Sequence, residues 1–377
     1  MSHHRLVAAS LFAFVADAAT AQAIRHVGTG FFPDIQPAID AASPGDVVYV
    51  DAGTYGSFHV DKPLVITAAP SALVQVLSQV PTRITLLPHE RVHLAGLDFQ
   101  IPGIYLTGGL VSMERCTVRT DRGLQLDHTI LTMRWSAAGA SLASGVLVKD
   151  SYLCASDSTF STSAPGATTI EHGAVKLLGD SRCQLALCSL VGAWPTNSTA
   201  PWSSVALHAS WAGDSARSWL ADCNLQGGFH LAGPQGPALV ARAAGAPHVQ
   251  LHRTQVSGFA IGNIGSEAVA SVHTPVDMTI GSTFTTTMRG EPGHPLLFYV
   301  GIDVAGPVQI PQVVQPAFGF LSTLIYPLTT ANAQGEADFS FVVPNNPSLR
   351  HLVLFWRGLD MVTVPWQAIP VFVTVAQ

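Results

Sequence analysis

The 377-residue chain is predicted to be all-β: a right-handed parallel β-helix with an N-terminal capping helix, followed by a small C-terminal β-sandwich domain. Three observations predict it. A short helix with one apolar face leads directly into the first strand-like segments. Further on, a short motif recurs at spacings of 30, 35 and 31 residues. A second motif keeps a nearly constant offset from the first. One rung of a coil per repeat accounts for both motifs, with length differences absorbed in loops.

The N-terminus reads as an export signal. His3, His4 and Arg5 precede an apolar run, Leu6–Val15, and Ala21-Gln22-Ala23 supplies the small residues a signal peptidase needs. Cleavage is expected after Ala23, so that residues 1–23 are a signal peptide and residues 24–377 are secreted or held at the cell surface. The apolar run is shorter than the roughly 20 residues that span a bilayer, and Asp17 interrupts any extension. No later stretch reads as a span, despite a mean hydropathy of +0.34.

Composition narrows the class further. Charged residues make up 11% of the chain, against about 25% in ordinary soluble domains. The lysines are Lys62, Lys149 and Lys176, and the net charge of −6 is unclustered. With no basic stripe and no basic–aromatic interleaving, nothing attracts nucleic acid. The 33 glycines and 25 prolines suit short strands and many turns.

The coil is expected over residues 24–288. Ile35, Ala38, Ile39 and Ala42 fall at helical spacing, with Asp34 placed as N-cap and Pro37 tolerated in the first turn. Pro44-Gly45-Asp46 stops the helix; Val47–Val50 reads as a strand, Gly53-Thr54-Tyr55-Gly56 as a turn and Leu64–Thr67 as a strand. The run FPDIQPAIDAASPGDVVYVDAGTYGSFHVDKPLVITA (32–68) resembles the opening of pectin-lyase-like right-handed β-helix proteins. There a short amphipathic helix caps the open end of the coil. The resemblance implies that fold and no particular activity, since enzymes and non-enzymes share this opening.

The repeats carry the same reading without the resemblance. Ala186-Leu187-Cys188-Ser189-Leu190-Val191-Gly192 recurs as Ala221-Asp222-Cys223-Asn224-Leu225-Gln226-Gly227 and as His252-Arg253-Thr254-Gln255-Val256-Ser257-Gly258. Arg115-Cys116-Thr117-Val118 and Asp157-Ser158-Thr159-Phe160 are weaker copies. Asp-Ser pairs at 150–151, 180–181 and 214–215 lie 8, 8 and 9 residues before the anchors at 158, 188 and 223. Composition shifts at 289–295, which reads as a linker to a domain over 289–377. Segments such as Phe339–Val343 and Leu352–Trp356, separated by turns at 333–335 and 344–347, indicate a compact sandwich. This stretch resembles small C-terminal β domains of exported bacterial proteins.

Several side-chain groups are candidates for chemistry, each with a simpler structural explanation. A ladder of Asp150, Asp180 and Asp214 would suit Ca²⁺ or a glycosidase pair; tight turns that use Asp-Ser to bond their own backbone explain it more simply. Cys116, Cys188 and Cys223 share one rung position and read as buried small hydrophobes, with disulfide formation left open by the rung spacing. Cys154 and Cys183 complete the set of five, whose spacing matches no metal-ligand signature.

Trp194, Trp202, Trp211 and Trp219 crowd into one region. They are the ligand-binding candidates, since aromatic faces stack on sugar rings and loops on a rigid scaffold carry binding sites. The plainer reading packs them beneath their own loop. A lyase would need a base, for which Lys149, Lys176 and Arg242 could serve; these and His128, His172, His208 and His230 read more simply as solvated rung-surface groups. The signature runs of pectin methylesterases, polygalacturonases and pectate lyases are absent, and Asn197-Ser198-Thr199 fits a glycosylation sequon.

Three functions fit this reading. The first is an exported non-catalytic β-helix protein binding extracellular polysaccharide, with no catalytic residue and no cofactor beyond an optional Ca²⁺. The second is a polysaccharide lyase, hydrolase or esterase, supported by fold analogy alone. The third is a structural or adhesive module working through its C-terminal domain.

Overall fold

The computed structural model describes residues 23–163, 172–192, 205–209, 216–228, 237–241, 249–262, 264–265, 271–273, 278–308, 317–325, 328–346, 353–361, 366–367 and 371–376. The expected signal peptide lies outside them, save for Ala23.

The coil is a parallel β-helix built from three long sheets. Sheet A has 11 strands, from Ile24–Val27 to Ile264–Gly265; sheet B has nine, from Gly53–Tyr55 to Gln255–Ser257; sheet C has nine, from His59–Val60 to Phe259–Gly262. The chain visits A, B and C in turn, and equivalent strands pair in parallel and in register, as in Leu110–Glu114 on Ile130–Arg134 and Ile104–Thr107 on Leu124–Asp127. Register converts sequence periodicity into columns. Leu94, Met113, Met133, Ala155, Leu185 and Leu220 stack inside sheet A. Val76, Phe99, Val118, Ala138, Phe160 and Leu190 stack inside sheet B. All twelve are fully buried or nearly so, and burial of each large aliphatic or aromatic side chain contributes roughly 1.5–3 kcal/mol.

The corner from sheet A to sheet B repeats one backbone device. Gly96 and then Arg115, Trp135, Asp157, Leu187, Asp222 and Arg253 take positive φ, between 44° and 72°. The residue after each of the last six is small and able to donate: Cys116, Ser136, Ser158, Cys188, Cys223 and Thr254. Its side chain donates to the carbonyl two residues back, at 2.8 Å for both Ser136 and Ser158. The hydroxyls also reach between rungs, Ser136 Oγ accepting from Cys116 N at 3.1 Å. Backbone bonds continue through the corner, as in Leu187 N to Ala221 O at 3.0 Å and Asn224 N to Cys188 O at 2.9 Å. The recurring motif of the sequence is this column.

The N-terminal end matches expectation, with one change. The helix α1, Ile35–Ala41, buries Ile35, Ala38 and Ile39, and Asp34 accepts from Ile35 N. Gly53–Tyr55 is not a turn but the first strand of sheet B, paired with Val74–Leu77. Tyr55 is buried and its hydroxyl donates to Asp51 O at 2.9 Å, so the aromatic anchors what glycine and threonine alone would leave as a bend. Asp46 fastens the start of the coil. It accepts from Ser43 N at 2.9 Å and Ala23 N at 3.1 Å and meets Arg25 at 3.4 Å.

The coil unit runs through Glu267, and a second compact unit begins at Ala268. Its three-stranded antiparallel sheet joins Ser271–His273, Thr283–Arg289 and Glu336–Val342. A larger sheet is formed by Met278–Thr279, Val371–Ala376, Val353–Asp360, Pro295–Val308 and Ala317–Ile325. The two sheets meet through aromatic rings: Phe284 and Phe341 from the first lie 5.6 and 5.7 Å from Trp356 of the second. The segment at 289–295 is therefore internal to this unit rather than a linker before it. Gly290 N bonds Gly335 O at 2.8 Å, and His294 Nδ1 lies 3.0 Å from Asp360. Among the described residues no helix is long and apolar enough to cross a membrane.

Burial pushes the Asp46 carboxyl up, but the amides of Ser43 and Ala23 and the Arg25 charge pull it further down, to a net value below the ordinary 3.8. A folded value below the unfolded one means stability present above about pH 4 and lost as pH falls through the folded value. Asp46→Ala is expected to cost about 2 kcal/mol at neutral pH and progressively less below pH 4, measured by denaturant unfolding across pH.

Candidate ligand-binding surfaces of the coil

Outward-facing positions form columns just as inward ones do, about 4.8 Å apart. On sheet B, successive rungs place Gln75, Asp98, Thr117, Ala137, Thr159 and Ser189 in one outer column. A second outer column contains Gly139 and Ser161. Where the second column runs off the sheet toward sheet C, an open groove of about 470 Å³ lies between Leu77, Ile101 and Pro102 on one side and Ser141, Ser161 and Ser163 on the other. Gly139 forms part of its floor, since a Cβ there would come 2.7 Å from Ser161 Oγ. A side chain at 139 would press on Ser161 Oγ at the floor.

The groove carries little charge: Arg119 and Asp98 offset each other, and Asp121 adds one carboxylate. Arg119 donates to Asp98 Oδ2 at 2.7 Å, and Gln100 Nε2 donates to the same oxygen at 3.0 Å. Asp121 accepts from Ser141 Oγ at 2.6 Å. Asp98 is buried and its Oδ1 has no hydrogen-bond partner. The lining thus offers hydroxyls, an amide, the Asp121 carboxylate and a guanidinium whose charge is already matched, beside the exposed side chain of Leu77. Polyhydroxylated neutral molecules present the same mixture of hydroxyls and apolar C–H faces. Both groove carboxylates are engaged by donors, and among the described residues no three His, Cys, Asp or Glu side chains converge as a metal site would require.

Sheet C carries a second polar face. The Arg83 guanidinium stands over the Tyr105 ring, 5.4 Å from its centre, which presents the aromatic already occupied. Asp127 lies 3.0 Å from His128 and 3.4 Å from Lys149, all well exposed. Lys149 and His128 are therefore members of a solvated charge cluster. Lys176 is half-buried and stands in register with His208, which is buried. His172 is half-buried; His230 and Arg242 lie outside the described residues.

The Asp-Ser ladder is a corner device between sheets C and A. Asp150 takes φ 46°, and Gly179, before Asp180, takes φ 65°. Asp150 Oδ1 accepts from Asp180 N of the next rung at 2.9 Å, and a Cβ on Gly179 would collide with that oxygen. Ser151 Oγ donates to Lys149 O and accepts from Thr129 N. Asp214 lies outside the described residues.

All five cysteines are buried free thiols, and burial pushes Cys116 up to about 12. Trp219 sits mid-strand in an outward column of sheet A between Gln184 and Gln250 and is only 3% exposed, so it offers no ring face to solvent. Trp194, Trp202 and Trp211 lie outside the described residues. The sequence reading missed Trp135, which occupies a positive-φ corner, is 41% exposed and has the Arg134 guanidinium 5.8 Å from its ring centre. Its alignment with Arg115 and Asp157 at the corner was the available signal.

Asp150→Gly keeps the left-handed corner and is expected to change stability by no more than about 1 kcal/mol. Asp150→Val forces a β-branched residue into that conformation and loses the inter-rung bond, an expected loss of roughly 2 kcal/mol or more. Denaturant unfolding measures both, and added Ca²⁺ should leave the wild-type midpoint unchanged.

Compared with models of known protein families, with curated proteins and with solved structures, the chain matches none.

Proposed function

We propose that this is an exported, non-catalytic β-helix protein that binds neutral extracellular polysaccharide along the outer groove of sheet B. The observation that carries the reading is the groove itself: an open channel floored by Gly139 and Ser161, lined by Gln100 and serine hydroxyls, with the Arg119 charge matched by Asp98. An open channel across consecutive rungs accepts a chain from either end, and a repeating column of polar groups suits a repeating ligand. The residue pattern at 1–23 supports export. Hydrogen bonding to hydroxyls requires no metal, so binding should survive chelation of Ca²⁺.

The test is a polysaccharide array with purified residues 24–377, run beside assays for reducing ends and unsaturated products. Gln100→Ala is expected to weaken binding about tenfold, the equivalent of one hydrogen bond of about 1.4 kcal/mol. Ser161→Leu should block the floor, with circular dichroism confirming the fold of both variants. A loss seen only in Trp194→Ala and Trp202→Ala would move the site to that loop. Product release would show an enzyme, and absence of any binding would remove the reading.

A further inference from the structure

We infer that Cys188 and Cys223 form a disulfide that clamps two adjacent rungs when the chain folds in an oxidising compartment. The register singles out this pair. Ala186 stands opposite Ala221 and Ser189 opposite Asn224. The corner residues between them therefore match one to one, Leu187 with Asp222 and Cys188 with Cys223. Backbone bonds hold the match on both sides, Leu187 N to Ala221 O at 3.0 Å and Asn224 N to Cys188 O at 2.9 Å. Both side chains are buried in the same column, each thiol donating to the carbonyl two residues back, Cys188 to Ala186 O at 3.2 Å and Cys223 to Ala221 O at 3.3 Å. In-register parallel strands put such residues about 4.8 Å apart at Cα, inside the roughly 4.4–6.8 Å range of disulfides.

No other pair meets these conditions. Cys183 is in register with Leu153 and Ser218, and Cys154 with Gln184. Cys154 and Cys183 are thus offset by one residue and point to opposite faces of the sheet. Cys116 is followed in its column by Ser136, whose hydroxyl bonds the Cys116 amide. The bond would close a loop of 35 residues containing Trp194, Trp202 and Trp211, so it would tether the segment that holds the expected tryptophan cluster.

The timing of the chemistry follows from burial, which raises the Cys188 pKa well above 9.0, the contact with Cys223 adding to it. A thiol that is neither accessible nor ionised is a poor nucleophile, so the bond is made before the two rungs close. One thiolate attacks a small-molecule disulfide such as oxidised glutathione and expels one thiolate, leaving a mixed disulfide. The second protein thiolate attacks that bond and expels the other. Two protein thiols are oxidised and the oxidant's sulfur–sulfur bond is reduced to two thiols. In a reducing cytosol the pair stays reduced. The inference thus depends on export in the cell, while a defined redox buffer tests it apart from export.

Residues 24–377 would be refolded from denaturant in oxidised and reduced glutathione, quenched by alkylation, digested without reduction and analysed by mass spectrometry. The expected product is one linked peptide pair containing Cys188 and Cys223, with Cys116, Cys154 and Cys183 alkylated. The oxidised form should unfold at higher denaturant than the reduced form. Protein already folded under reducing conditions should take up neither oxidant nor alkylating reagent at these positions. Five alkylated cysteines after oxidative refolding, or a linked pair involving any other cysteine, would overturn the inference. Because the linkage is read on the wild-type chain, the result does not depend on whether a Cys188→Ser variant folds.

Discussion

The structure depends on keeping one backbone ladder unbroken around the corner between sheets A and B. A rung can stack on the next only if its corner amides and carbonyls find partners as its strands do, since a buried unpaired backbone group costs as much as a lost hydrogen bond. Positive φ at Arg115, Trp135, Asp157, Leu187, Asp222 and Arg253 turns the chain while leaving those groups aimed at the next rung. The conformation costs roughly 1–2 kcal/mol for each residue other than glycine. The inter-rung bonds and the small donor side chain that follows each corner offset it.

Surface follows from that register. Once the corner fixes which residue stands above which, outward positions become columns as surely as inward ones. The sheet B groove is assembled from strands whose equivalent residues lie 20 to 22 positions apart, such as Arg119, Gly139 and Ser161. Its shape is set in part by what is absent at Gly139, and the Arg119–Asp98 pair removes its one cationic charge. The proposed saccharide site thus lies on the regular early rungs. The longer later rungs carry their extra residues between the strands, and Trp194, Trp202 and Trp211 fall in those stretches of the sequence.

The legibility of the chain follows the same physics. Corner residues range from Arg to Trp to Leu, so they carry no common signal. The residue after each of the six from Arg115 onward is Cys, Ser or Thr, and that made the repeat visible. The Asp-Ser pairs at 150–151 and 180–181 were legible as turns because Asp150, like Gly179 before Asp180, takes left-handed backbone and each Ser bonds a nearby carbonyl. Helix α1 was legible from apolar spacing and its cap. Gly53–Tyr55 looked like a turn because its strand character comes from pairing with residues about 20 positions away. The unit boundary near 267 was hidden because Arg289–Pro295 has a linker's composition yet is held by Gly335 and Asp360. The groove had no local signature, since no two of its facing rows are neighbours in the chain.

The most direct measurement of this account is residue-resolved amide hydrogen exchange at the corner. If the ladder runs unbroken through it, the amides of Arg115, Asp157, Leu187 and Asp222, each bonded to the next rung, should be protected to within about tenfold of sheet A strand interiors. Exchange at those amides as fast as in exposed loops, with the flanking strands still protected, would contradict it. The coil would then be three separately paired sheets joined by open bends.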